Sequence, residues 1–154
     1  MNILRRLSQH LPRSPFLYLH ILIKWLMIPF AISFFSIQRL LRWYSPKHRS
    51  QKNSLKIVQS ERYLMGVARR LPFDHRQPCL YRSLLRFYFL NRWGETTKIH
   101  FGIRKASDSI FQGHCWLTQS DGSIYGVDLC HKEFSEVVCF SWEEGQGPVV
   151  WNAP

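Results

Sequence analysis

The chain opens with a long apolar stretch and changes, about halfway along, from a helical to an alternating pattern of hydrophobic positions. Residues 16–37 are almost continuously apolar. Pro29 within them removes a backbone donor and obstructs the preceding turn. We therefore predict two helices, 16–28 and 30–44, arranged as a hairpin or a kinked pair. Their apolar faces are very wide and need to be covered by the rest of the domain, a partner or lipid.

Two further helices are predicted in the middle of the chain. Residues 45–53 are polar and basic and are typical of a linker. Ser54 is a suitable N-cap for a helix whose apolar positions recur at helical spacing until Pro72. A second stripe of period 3.6 starts just after Pro78 and ends before Gly94, which puts Cys79 at the N-terminus of a helix.

From residue 98 onward the period is two, and we predict strands at 98–104, 111–118, 124–130 and 136–141. Helices first and antiparallel strands afterwards predict an α+β fold. At 154 residues the chain is the size of one domain. We divide it into a hydrophobic, basic helical segment with its linker, 1–53, and a core, 54–154, and expect the two to pack as one compact unit.

Charge divides the chain into unlike halves. Residues 1–71 carry 13 Lys and Arg against one acid, a net charge of +12, whereas the remainder has a net charge of −1. Such a basic half is typical of proteins that bind phosphates, anionic lipid or an acidic protein. No zinc-finger spacing, recognition-helix pattern or aromatic β-sheet signature accompanies it, so we expect no nucleic-acid partner. We expect it to dock an acidic partner.

The apolar stretch is also long enough for a bilayer span, which needs about 20 residues. Lys24 and Pro29 inside it, with basic residues on both sides, argue against a span. Three interpretations remain: an internal helical layer, which fits best, a peripheral membrane contact, or a true span. We expect a cytoplasmic protein, with membrane association as an open alternative, because residues 1–13 lack the features of a cleaved secretory signal.

The four cysteines do not form the closely spaced pairs of structural zinc sites. We predict no metal and no cofactor. Cys79 stands apart because unpaired amides and the helix dipole at a helix N-terminus favour a thiolate. Its own amide would lie near an oxyanion formed on attack at a carbonyl. The competing interpretation is a small buried apolar residue.

A base for Cys79 is available in His114, which lies on a predicted strand. If residues 120–122 form a three-residue loop, Gln119 pairs with Ser123 and the ladder puts Asp128 opposite His114. Opposed residues share a face, so the carboxylate would orient the imidazole. In a two-residue turn Asp128 faces Cys115 instead, and the sequence leaves both registers open.

The segments around these residues resemble the B-type maturation proteins of lasso-peptide pathways, in the form that is a stand-alone peptidase. The resemblance covers nearly the whole chain, including the hydrophobic N-terminal helices. In that family a C-L-x-R-S-L helix start and an H-A-W strand carry the Cys and His of a transglutaminase-like, papain-like core. In this chain Cys115 stands where the family usually has alanine. One extra residue lies between Trp116 and the Asp-Gly turn. The matching segments are Pro78-Cys79-Leu80-Tyr81-Arg82-Ser83-Leu84, His100-Phe101-Gly102-Ile103-Arg104 and His114-Cys115-Trp116-Leu117, with Asp121-Gly122.

The resemblance implies a cysteine peptidase that cuts the leader from a lasso-peptide precursor. Cys79 would be the nucleophile, His114 the base and then the acid, and Asp128 the group that orients His114. The implied partners are the precursor's leader peptide, a separate leader-recognition protein and a lasso cyclase. Two alternatives stay open: an acyltransferase of the same fold that forms an amide or isopeptide, and a non-catalytic peptide-binding adaptor.

Overall fold

Among the described residues, four helices precede an antiparallel sheet, as the change of period predicted. The computed structural model describes residues 14–71, 78–107, 110–126, 131–143 and 147–152. Its helices are α1 Pro15–Phe34, α2 Ile37–Trp43, α3 Ser54–Arg70 and α4 Pro78–Arg92. Its strands are β1 Thr97–Ser107, β2 Ile110–Gln119, β3 Ser135–Glu143 and β4 Gly147–Asn152, with a 3₁₀ turn at His131–Glu133. The α+β class is confirmed.

The break predicted at Pro29 is wrong, because α1 continues through this residue and ends at Phe34. A proline inside a helix removes one backbone bond and strains one turn. The helix continues because residues on both sides of Pro29 pack into the core. Trp25 and Ile28 are fully buried, and Ala31 is 3% exposed. The chain turns instead at Phe35, whose backbone is extended.

The start of α3 also differs from the prediction by one residue. Asn53, not Ser54, is the N-cap, and its side chain accepts a hydrogen bond of 3.0 Å from the Lys56 amide. Both residue types cap well, and the backbone of Asn53 is the one that leaves the helix here. The preceding linker packs on the end of α4. The Ser50 and Asn53 amides donate hydrogen bonds there to the carbonyls of Arg92 and Trp93, respectively.

The sheet has the order β2-β1-β3-β4, and all of its neighbours are antiparallel. Strand β4 was not predicted. Of the predicted strand 124–130, the described residues 124–126 form only an isolated bridge between Ile124 and Thr118. Gly126 has a φ of +82°, a value that is incompatible with extended pairing. The rest of the predicted strand, 127–130, lies outside the described residues.

The helices cover one face of the sheet and share a core with it. Residues of α1, α3 and α4 meet the odd-numbered positions of β2 there. Because side chains alternate across a strand, the even-numbered positions of β2, including His114, lie on the opposite face. Fully or almost fully buried members of the core include Trp25, Leu64, Leu84, Phe87, Ile99, Cys115, Leu117 and Phe140.

Candidate active site

Cys79 is the second residue of α4, as predicted, and is partly buried against the core. One turn further along, the hydroxyl of Ser83 donates a hydrogen bond of 3.1 Å to the carbonyl of Cys115 on β2. Residues four apart share one side of a helix. The bond therefore fixes the first turns of α4, on the side that carries Cys79, against the strand that carries His114.

His114 lies on β2 and pairs across the sheet with Gly102 on β1. Its ring stacks on Trp116, with ring centroids 5.9 Å apart and planes inclined by 20°. The ring centroid of Phe134 lies 4.8 Å from that of His114. Trp116 is 7% exposed. The aromatic contacts on two sides therefore restrict how the imidazole can rotate.

A second histidine, His100, completes this aromatic row from β1. Its ring is almost parallel to Trp116, with an interplanar angle of 7° and centroids 5.5 Å apart. Its Nδ1 lies 2.8 Å from a carboxylate oxygen of Glu136, and its Nε2 lies 2.8 Å from the hydroxyl of Thr118. His100 therefore holds Trp116 from the side opposite His114.

A β-bulge brings Glu136 into this group. The pairing of β1 with β3 runs from Phe101 opposite Val138 to Gly102 opposite Glu136, and Val137 is the extra residue. A bulge shifts the alternation of side chains by one position. Glu136 consequently shares the face of His100. The sequence offered no signal for this bulge, and for that reason the His100–Glu136 pair was not predicted.

Cys139 also approaches His100, with its sulfur 3.8 Å from Nε2. One donor atom each from His100, Glu136 and Cys139 lie within 4.8 Å of one another. These are donor types that zinc accepts. Both His100 nitrogens already have hydrogen-bond partners in Glu136 and Thr118, so the group is satisfied as an internal polar network.

The thiol of Cys139 is poorly suited to attack. Burial, and secondarily the charge of Glu136, raise its pKa to about 11. A thiol with such a pKa is almost entirely protonated near neutral pH, whereas the thiolate is the nucleophile. Cys79 at the start of α4 remains the better candidate in geometric terms.

The loop on which the prediction for Asp128 rests has the three-residue form. The Gln119 amide donates to the Ser123 carbonyl at 2.8 Å, and Gly122 has φ +84°. The Asp121 carboxylate accepts bonds from the hydroxyl and amide of Ser123, which lower its pKa. Asp128 itself lies outside the described residues, and the ladder expected to place it opposite His114 is broken at Gly126. Its approach to His114 therefore stays a prediction.

Comparison with known proteins gives one result. The model of the transglutaminase-like superfamily matches residues 24–139, and the chain belongs to this superfamily. Its members include cysteine peptidases and acyltransferases, and they usually carry Cys, His and Asp or Glu as catalytic residues. No match was found among curated proteins or among solved structures.

Proposed function

We propose that the chain is a cysteine peptidase that removes the leader peptide from a lasso-peptide precursor through a thioester on Cys79. The superfamily supports the class of chemistry, and the segments around Cys79 and His114 support the substrate by resemblance. The observation that carries the proposal is the hydrogen bond from the Ser83 hydroxyl to the Cys115 carbonyl. This bond anchors the start of α4 on β2, next to the stacked His114.

The two residues approach from different sides of the sheet, which defines how they would meet. Cys79 belongs to the helical layer, and His114 lies on the other face of β2. β2 is an outer strand, joined on its outer side among the described residues only by the bridge to Ile124. The N-terminal end of α4 would therefore meet His114 around the edge of β2, and a substrate strand would lie along this edge.

In the proposed reaction His114 takes the proton of the Cys79 thiol as the sulfur attacks the carbonyl carbon at the leader–core junction. The Cys79 amide stabilises the oxyanion. His114 then protonates the leaving amine, so the core departs with a new amino terminus and the leader stays as a thioester. Water, deprotonated by His114, releases the leader as a carboxylic acid. Asp128 would orient His114 throughout.

This reaction defines the partners. A leader-recognition protein would deliver the precursor to Cys79. The released core carries the free amino terminus that a lasso cyclase would consume.

Mass spectrometry of the products tests the proposal against its alternatives. The chain is incubated with precursor and leader-recognition protein, without cyclase, in heavy-oxygen water. Hydrolysis gives two fragments, and the new carboxyl group of the leader takes up the label. An acyltransferase gives an unlabelled leader joined to an amine. An intact precursor that stays bound contradicts the proposal and favours an adaptor.

A further inference from the structure

A basic pocket of 540 Å³ opens between α1, α2, the linker and α4, away from the candidate active site. None of the described residues that line it is acidic, and the ion pairs of the described residues lie elsewhere. Trp43, which is 52% exposed, stands at its rim. Its basic members are Lys24, Arg42, Lys47, His48 and Arg92.

Two cations of the pocket, Lys24 and Arg92, lie close to the same ring and are partly buried. The amine of Lys24 lies 3.9 Å from the ring centre of Tyr88 and 4.7 Å from that of Tyr44. Arg92 donates a hydrogen bond of 2.7 Å to the Tyr88 hydroxyl. Burial, together with the charge of Arg92, lowers the pKa of Lys24 to about 8. A bound anion would offset this repulsion.

An uncovered apolar stripe runs along α1 beside the pocket. Its members recur at intervals of three and four residues, so they share one side of the helix. Their exposed fractions range from 45% to 84%. Lys24 is three residues from a member, Met27, and the pocket therefore borders the stripe. The apolar stripe consists of Phe16, Leu19, Ile23, Met27, Phe30 and Phe34.

Helix α1 has the length and composition of a membrane span, with a mean hydropathy of 1.7, but its other side is part of the core. Ile21, Trp25 and Ile28 on that side are fully buried by α3 and α4. A spanning helix would have to expose these residues to lipid and abandon the core. One side of α1 therefore packs on the protein while the other is exposed, a combination that suits a helix lying in a membrane interface.

We propose that the apolar stripe and the basic pocket together bind an anionic phospholipid surface. The stripe enters the boundary between headgroups and acyl chains, Trp43 lies at headgroup level, and the pocket takes the phosphate of an anionic lipid. The four Lys and Arg residues of the pocket, with no acid among its described lining, give this side of the chain a long-range attraction to such a surface. This proposal is independent of the proposed peptidase function.

Sedimentation with vesicles tests the proposal with matched variants. The full-length protein is spun with vesicles of phosphatidylcholine alone and with vesicles that also contain phosphatidylglycerol. We expect binding to the second kind only. Phe30→Ser/Phe34→Ser, which removes exposed apolar area, should weaken binding at least tenfold. Arg42→Gln/Lys47→Gln, which removes two pocket charges, should weaken it about thirtyfold.

Two control variants make equivalent changes elsewhere on the surface. Ile110→Ser/Phe111→Ser removes side chains that are 57% and 66% exposed on β2. Arg69→Gln/Arg70→Gln removes two exposed charges at the end of α3. Both should sediment like the wild-type protein.

Three results would overturn the proposal. The first is that the wild-type protein stays in the supernatant with anionic vesicles. The second is that the control variants lose as much binding as the test variants. The third is that inorganic phosphate, or an acidic leader-recognition protein, binds the pocket in a way that Arg42→Gln/Lys47→Gln abolishes, while no vesicle binding occurs.

Discussion

Trp116 stacks on the imidazole of His114, with ring centroids 5.9 Å apart, and is itself backed by the parallel ring of His100. The hydrogen bond between His100 and the Glu136 carboxylate fixes the far end of this row. The proposed base is thus oriented by contacts that begin at Glu136 on β3, pass through His100 on β1 and reach Trp116 on β2. In the sequence, Trp116 could equally have lined a cleft or filled the core; it is buried and stacks between the two histidines.

Replacing Trp116 with leucine should slow leader cleavage by about tenfold to a hundredfold, because a misplaced catalytic group loses that much rate. Trp116→Phe keeps a flat ring and should lose less. Single-turnover rates for both variants, with their melting temperatures, separate lost orientation from lost folding. A folded Trp116→Leu protein with wild-type rates would show that the stack does not orient His114.

Two glycines next to His114 provide a matched pair of variants. A Cβ at Gly102, opposite His114, would lie 2.9 Å from the Ser135 carbonyl oxygen and from two ring atoms of Trp116. A Cβ at Gly113 would meet nothing within 4 Å. Gly102→Ala should therefore displace Trp116, reduce activity and destabilise the fold by about 1–3 kcal/mol.

Gly113→Ala should leave the rate of leader cleavage and the stability of the fold near their wild-type values. Cleavage rates and thermal melts of the two variants check this difference. Equal effects in the two variants would contradict the close packing of Trp116 against β1.

Partial burial of the Lys24 amine makes the stability of the fold depend on pH in the alkaline range. Its pKa falls from 10.5 to about 8 on folding, so between these values the unfolded chain holds a proton that the folded chain has released. The contribution of Lys24 to stability therefore rises with pH through this window. Below it, the folded protein carries an unfavourable buried charge.

Lys24→Met removes this charge and keeps the contacts with the tyrosines. It should raise the melting temperature by about 2–4 °C near pH 7, and the gain should shrink toward pH 10. Lys56→Met is the control, because Lys56 also lies over an aromatic ring, that of Trp93, but is exposed. A gain for Lys24→Met that does not change with pH would show that burial of the charge is not its cause.

The parts of the fold that could be predicted are those governed by local signals. Pro78 and Gly94 delimit α4, and Gly122 determines the form of the hairpin loop. The parts of the fold that local signals do not predict are determined by tertiary packing. Burial of Trp25 and Ile28 carries α1 through Pro29.

The candidate site was predictable to a similar extent. The position of Cys79 at a helix start follows from the pattern, but the bulge at Val137 that turns Glu136 toward His100 depends on pairing between distant strands. Because a one-residue shift moves side chains to the other face, this network is not readable from either strand alone.

We propose that Cys79 forms the thioester, and not Cys139, whose sulfur lies 3.8 Å from His100 Nε2. The direct measurement is leader cleavage by Cys79→Ala and Cys139→Ala, each incubated with precursor and leader-recognition protein and followed by mass spectrometry. The account predicts no cleavage by folded Cys79→Ala and substantial cleavage by Cys139→Ala, whose thiol is buried and protonated. Cleavage by Cys79→Ala together with its loss in folded Cys139→Ala would contradict the account and assign the reaction to Cys139.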